Sequence, residues 1–260
     1  MAGTLWTSTT GLVDLSANIP VATKHVFGIG SITKVFVTVV IIQLVEEQKL
    51  HLDDAVGGLL PREIYEGIEN AQEATVATLL SHTAGVESWE DDPIWIAHGR
   101  GRELDPHRIW SKTETLDYVR RPNLSGPKPG KFSYSNTNFT LLGLIVETIT
   151  KQTAESEIRR RILEPLGMEN TYLEGFEEPI TQSISPRRYH WNTAEFRSSA
   201  GICPDFSLPR SDLIDATGSN LSVEWTAGGL VSSPSDLITF GVALRDGKLL
   251  SPSSLDVMKD

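Results

Sequence analysis

The densest apolar run of the chain lies in "FGIGSITKVFVTVVIIQLVEE", residues 27–47. Val35, Phe36, Val37, Val39, Val40, Ile41, Ile42, Leu44 and Val45 cover nearly the whole circumference of a helical wheel. The pattern therefore predicts a helix over residues 31–48 that is buried on all sides. Upstream, "GTLWTSTTGLVDLS" alternates loosely and is rich in Thr, Val and Trp, which reads as a strand and turn. "LDDAVGGLLPREI" breaks the pattern with Gly and Pro, and "ATVATLLSHTAGV" reads as a short helix that stops at Gly85. Residues 87–131 carry Pro93, Pro106, Pro122, Pro127 and Pro129 and read as a long loop that also holds Trp89, Trp95 and Trp110. Helical spacing returns over residues 137–151 and 154–163, residues 182–225 read as irregular, and a last helix is predicted from Ser235-Asp236 to Arg245.

Composition narrows the function classes. Of the 260 residues, 39% are apolar and 22% charged, as in a soluble globular protein. A net charge of -11 argues against a nucleic-acid footprint, which needs a basic face. The tract Arg159-Arg160-Arg161 follows Glu155 and Glu157 and reads as a solvated helix face. The acidic stretch Glu87, Glu90, Asp91, Asp92 reads likewise as a solvated patch, and the tryptophans around it either roof a pocket or pack the loop onto the core. The single cysteine, Cys203, excludes an intrachain disulfide and has no activating partner in "SAGICPDF", so a structural thiol is expected. The six histidines show no ligand spacing, so neither a metal nor a cofactor is expected. The apolar run over residues 35–45 is too short to span a bilayer. "MAGTLWTSTTG" has no basic segment followed by an apolar one, and the expectation is a soluble, cytoplasmic chain.

Three local features bear on chemistry. The first is Ser31-Ile-Thr-Lys34. On a helix, positions i and i+3 share a face, so the Lys34 amine can reach the Ser31 hydroxyl. A serine hydroxyl is a weak nucleophile until a base is near it, and a lysine can be that base only if burial or a cationic neighbour lowers its pKa. Placed at a helix N-terminus, Ser31 would also meet backbone N–H groups that favour developing negative charge. The competing reading is an ordinary helix cap, since serine is a favoured N-cap residue. The same spacing recurs at Ser125-Gly-Pro-Lys128 in a Pro/Gly-rich loop, where it carries no such context. The second feature is Tyr134-Ser135-Asn136 ahead of a helix. A phenol near a cation can share proton transfer, and an Asn amide can both donate and accept; the competing reading of Asn136 is a simple cap of that helix. The third pairs "LLSHTAG" with the distant "TAGGLVSSPSDL", which physically read as a helix stop and tight turns.

Taken in order, "FGIGSITKVF", "KLHLDDAVGGLLP", "ATLLSHTAGV", "FSYSNTNFTLLGLIVETIT", "ILEPLGMENTYL" and "TAGGLVSSPSDLITFG" resemble the serine β-lactamase and DD-peptidase family, in its branch of class C β-lactamases, D-aminopeptidases, esterases and acyltransferases. The resemblance spans residues 11–250. It implies an α+β, β-lactamase/transpeptidase-like fold, a mostly helical domain packed on an antiparallel sheet. No linker divides the chain, so one domain is expected over residues 1–260: a sheet edge and nucleophile helix (1–50), a helical and loop subdomain (51–225) and a return to the sheet side (226–260). The resemblance also assigns roles. Ser31 would be acylated, Lys34 and Tyr134 would carry protons with their shares left open, and Asn136 would bind the substrate amide or ester. The backbone N–H of Ser31 would form half of an oxyanion hole.

The family's third motif, Lys/His-Thr/Ser/x-Gly on a late strand, has no counterpart in the expected place; "HTAG" at 82–85 belongs to another segment. The sheet is accordingly expected to be incomplete, its missing strands supplied by a partner chain or a homodimer, unless the chain is a gene product truncated at both ends; without them the apolar serine helix would lack cover. Two functions compete. One is a serine acyl hydrolase or acyltransferase acting on a small acyl substrate, with esterase or transacylase chemistry ahead of β-lactam hydrolysis. The other is a catalytically impaired relative that serves as a binding or structural module.

Overall fold

A computed structural model describes residues 6–120, 126–181 and 184–259. The second Ser-x-x-Lys serine, Ser125, lies outside the described residues. The predicted serine helix is Thr33–Glu46, entered through a 3-10 turn at Gly30–Ile32. Phe36, Val37, Val39, Val40, Ile41, Ile42 and Leu44 are all buried. The helix packs on Asn136–Thr150, on the short helix Trp225–Gly228 and on Ala154–Ile158. On another side Phe36 stacks on Phe240 of the helix Pro234–Arg245 at 3.8 Å between ring centroids. The chain's own helices thus enclose the serine helix. Most of the apolar side chains that follow Lys34 are buried by these helices within the chain itself. At about 1.5–3 kcal/mol per fully buried large apolar side chain, this enclosure is a large favourable contribution to the fold.

The sheets are small and antiparallel, giving the expected α+β class. Leu12–Asp14 pairs with Ile19–Pro20. In the sheet nearest the serine, Leu230–Ser232 lies between Phe27–Gly28 and Tyr172–Leu173. Its register (Phe27 opposite Ser232, Gly28 opposite Val231) continues through the Ile29 N–H, which donates to Leu230 O at 2.9 Å. That pairing delivers the chain into the turn that carries Ser31. A third sheet sets Leu213–Asp215 between Tyr189–Trp191 and Ser207–Arg210, with a helix at Ala194–Ser199. The prediction of irregular chain there is corrected. These strands have three or four residues, too few for a period to register.

The predicted loop over 87–131 also contains structure: a 3-10 turn at Trp89–Asp91, a helix at Pro93–Gly99 and another 3-10 turn at Glu114–Tyr118. The helix has a clear start. Asp92 accepts from the N–H groups of Ile94 and Trp95, and Pro93 occupies the first turn. Trp89, Trp95 and Trp110 are buried in the main core, so they fasten this segment down rather than roof a pocket. The arginine tract is likewise not a uniformly solvated face. Arg161 is 6% exposed and pairs with Glu157 and Glu47, Arg159 pairs with Glu177, and Arg160 alone of the three is largely exposed. Cys203 is a buried free thiol that donates to Leu104 O. Among the described residues no helix is long and apolar enough to cross a membrane.

Candidate active site

Ser31 does not cap its helix. The cap position of Thr33–Glu46 is Ile32, which makes no side-chain capping bond. The serine sits one residue earlier, in the middle of the 3-10 turn, after Gly30 at φ +53°. A glycine enters that left-handed region without the clash a Cβ would make. Freed from capping, Ser31 Oγ lies 2.6 Å from the Tyr134 hydroxyl and accepts from Lys34 Nζ at 3.1 Å. Its backbone N–H falls in the first helical turn, where N–H groups lack an intrahelical partner.

Lys34 is buried, as the apolar run after it suggested, and its Nζ lies near the rings of Tyr134 and Phe139. Its Nζ donates to Asn136 Oδ1 and to Ala227 O, both at 2.7 Å. Those two acceptors have no proton to give, so two Nζ directions are fixed as donors and the third points at Ser31 Oγ. Ala227 lies in Trp225–Gly228, within "TAGG", which read in the sequence only as a turn. Asn136 is the first residue of Asn136–Thr150 and does not cap it; Ser135 holds the cap position. Asn136 Nδ2 donates to Glu90 Oε2 at 2.5 Å. With a pure donor at Oδ1 and a carboxylate at Nδ2, the amide has only one satisfactory orientation.

Tyr134 stands half-exposed over this group, its ring 4.8 Å from Lys34 Nζ. Its other neighbour is His82, whose ring lies against it at 4.4 Å between centroids and 30° between planes. Burial, and next the Lys34 charge, hold the His82 imidazole down at about 4, so it is neutral at physiological pH.

Ser31 and Asn136 open on a cavity of about 420 Å³ whose walls include Gly28, Glu90, Arg100 and Glu224. One Arg100 nitrogen donates to both Glu90 Oε1 (2.8 Å) and Glu224 Oε1 (3.0 Å). Burial pushes the Glu224 carboxyl up; Arg100 opposes this and Glu90 adds to it. No cluster of His, Cys, Asp and Glu suited to a metal occurs among the described residues.

All four residues singled out from the sequence, Ser31, Lys34, Tyr134 and Asn136, therefore meet in one hydrogen-bonded group. Sequence reasoning missed Glu90, Arg100, Glu224 and His82. Glu90 was counted with a solvated patch, and Arg100 and Glu224 carry no local pattern. His82 alone gave a sign, a histidine where a helix stops.

The Beta-lactamase family model matches residues 2–260. Among curated proteins, the chain is 30% identical over 166 residues to "Penicillin-binding protein 4" of Amycolatopsis lactamdurans, covering 64% of this chain and 41% of that protein. It is 26% identical over 232 residues to "Putative penicillin-binding protein PbpX" of Bacillus subtilis (strain 168), covering 89% of this chain and 49% of that one. The chain thus spans less than half the length of these two relatives. Among solved structures, D-amino acid amidase from Ochrobactrum anthropi SV3, complexed with D-phenylalanine, superposes with a TM-score of 0.75 at 26% identity, over 95% of this chain and 64% of that one. A D-stereospecific amidohydrolase from Streptomyces sp. superposes with a TM-score of 0.73 at 29% identity, over 89% of this chain and 64% of that one. The chain belongs to the Beta-lactamase family.

Proposed function

We propose that this chain is a serine acyl hydrolase or acyltransferase that works through an acyl-enzyme on Ser31. The observation that carries the reading is Ser31 Oγ within hydrogen-bond reach of both the Tyr134 hydroxyl and Lys34 Nζ, at the edge of a cavity of about 420 Å³. Nucleophile and proton carrier in contact, with the carrier oriented by further groups, is the arrangement an activated nucleophile needs.

In this reading Ser31 Oγ bonds to the substrate carbonyl carbon and its proton passes to the Tyr134–Lys34 pair. The carbonyl oxygen takes up negative charge beside the Ser31 N–H. One such donor is typically worth about 10²–10³ in rate. As the carbon–nitrogen or carbon–oxygen bond to the leaving group breaks, the same pair returns the proton to it. Water, or another acceptor, then gives up a proton to the pair as it bonds to the acyl carbon, and the pair returns a proton to Ser31 Oγ as the acyl–Oγ bond breaks. Asn136, held at both ends of its amide, keeps one Nδ2 hydrogen to offer the substrate.

Ester hydrolysis or transacylation ranks ahead of β-lactam hydrolysis here, and the amidase relatives add D-amino acid amides to the compounds to try. Incubation with a fluorophosphonate or penicillin probe is expected to add its mass at Ser31, seen by peptide mass spectrometry. Turnover of p-nitrophenyl acetate is expected to fall by about 10⁴-fold or more in Ser31→Ala. Folded protein that takes no adduct at Ser31 would overturn the proposal. The alternative is a catalytically impaired binding or structural module. Ser31-dependent turnover would exclude it.

A further inference from the structure

We infer that His82 is a positioning residue for the reaction, holding the Tyr134 phenol against Ser31; this rests on the acyl-enzyme reading above. Three contacts carry it. The His82 carbonyl accepts from the Ser133 N–H at 2.8 Å. Its Nδ1 accepts from the Ser135 N–H at 3.1 Å. Between those two anchors its ring lies against the Tyr134 ring. One residue therefore grips the backbone on both sides of Tyr134 and supports the side chain between.

The protonation state follows from the partners. A backbone N–H can only donate, so Nδ1 must carry a lone pair and the ring proton must sit on Nε2. A charged imidazole would lose the Ser135 bond and set a second cation beside Lys34. Burial and Lys34 both hold the ring neutral, which agrees with this arrangement.

The backbone position makes the same point. His82 follows the helix Val76–Leu80 at φ +57°, and the Thr83 and Ala84 N–H groups fold back onto Thr78 O. Helices commonly end this way with glycine, or sometimes asparagine, at the left-handed position. A histidine enters that region less readily than glycine, and here it also supplies the imidazole that bonds to Ser135 and lies against Tyr134. The turn closes as well without a ring, whereas the grip on Tyr134 needs the imidazole.

The test uses that difference. His82→Gly suits the left-handed turn, so the fold is expected to persist by circular dichroism while the ring and the Nδ1 acceptor are lost. The expected result is at least tenfold slower fluorophosphonate labelling of Ser31 in His82→Gly, and a loss no greater than twofold when the same change is made on Tyr134→Phe. Labelling of His82→Gly within twofold of the parent overturns the inference, as does an equal loss in both backgrounds. A second measurement needs no catalysis. In protein carrying 3-fluorotyrosine, the Tyr134 fluorine resonance, assigned by its absence in Tyr134→Phe, is expected to narrow in His82→Gly as the phenol gains motion. An unchanged line width overturns the inference even if the parent fails to label, whereas failure of the parent to label is what overturns the acyl-enzyme reading.

Discussion

Two segments line one cavity and differ in how they do it. Residues 27–47 bring chemistry by local spacing: Ser31 and Lys34 are one helical step apart and meet at 3.1 Å. Residues 87–101 bring it by distant pairing: Glu90 reaches Asn136, 46 positions away, and Arg100 reaches Glu224, 124 positions away. The first arrangement is visible to anyone who knows the helical period. The second exists only after the tryptophans of that segment are buried, because Trp89 bonds to Thr137 and Thr140 of Asn136–Thr150 and Trp95 packs on Trp89. Reactive groups can be placed by a local rule, while the walls that orient them depend on the core.

The largest expected effect is in the first segment. Lys34→Met keeps most of the apolar stem and removes all three donated bonds. Acylation of Ser31 is expected to fall by about 10²–10⁴-fold, the usual range for general acid–base help. Asn136 Oδ1 and Ala227 O would be left without their donor, at about 1–3 kcal/mol each if they find no substitute. Urea unfolding beside labelling kinetics separates the two losses. A variant that labels at the parent rate would remove Lys34 from the reaction and dissolve the contrast between the segments.

Trp95→Ala addresses the second segment. Trp95 is completely buried, and truncating a large aromatic in a core typically costs about 3–5 kcal/mol. The midpoint of urea unfolding should drop accordingly, while the order of preference among acyl donors stays as in the parent. If preference changes with stability intact, the aromatic segment shapes the pocket directly and packing is the wrong account of it.

These contrasts explain which parts of the molecule were legible in its sequence. The serine helix and Asn136–Thr150 were, because long apolar runs leave a strong periodic signal. The strands Tyr189–Trp191, Ser207–Arg210 and Leu213–Asp215 were not, since three or four residues with a proline among them carry almost none. The Pro93–Gly99 helix had its start written as Asp92-Pro93, a cap and first-turn signal outweighed by the prolines around it. Arg161 and Glu90 were misjudged for one shared reason. A charge run looks solvated until its partners are known, and those partners, Glu47 and Asn136, lie far off in the chain. Ser31 was misplaced by one step: it resembles a cap, yet its hydroxyl turns away from the helix to Tyr134.

The smallest effect sharpens the comparison most, because it touches a wall residue without disturbing the core. Glu90→Gln keeps an oxygen acceptor for Asn136 Nδ2 and removes the charge. Hydrogen bonds to charged groups contribute about 1.5–3 kcal/mol and neutral ones about 0.5–1.5, so the change weakens the hold on Asn136 by about 1 kcal/mol. At 1.36 kcal/mol per factor of ten, that is roughly a fivefold slower acylation. Glu90 is one of the groups that raise Glu224, so its neutralisation should also move the Glu224 titration down toward the ordinary carboxylate range. Arg100 would then have a single anionic partner and draw closer to Glu224. A fivefold loss with a fall in stability no greater than about 1 kcal/mol in urea, beside a Glu66→Gln control on the exposed Arg62 pair that changes neither, would show the distant wall acting through the orientation of one amide. Equal rates in Glu90→Gln and the parent would mean that Lys34 alone orients Asn136, and that the local segment suffices for the chemistry.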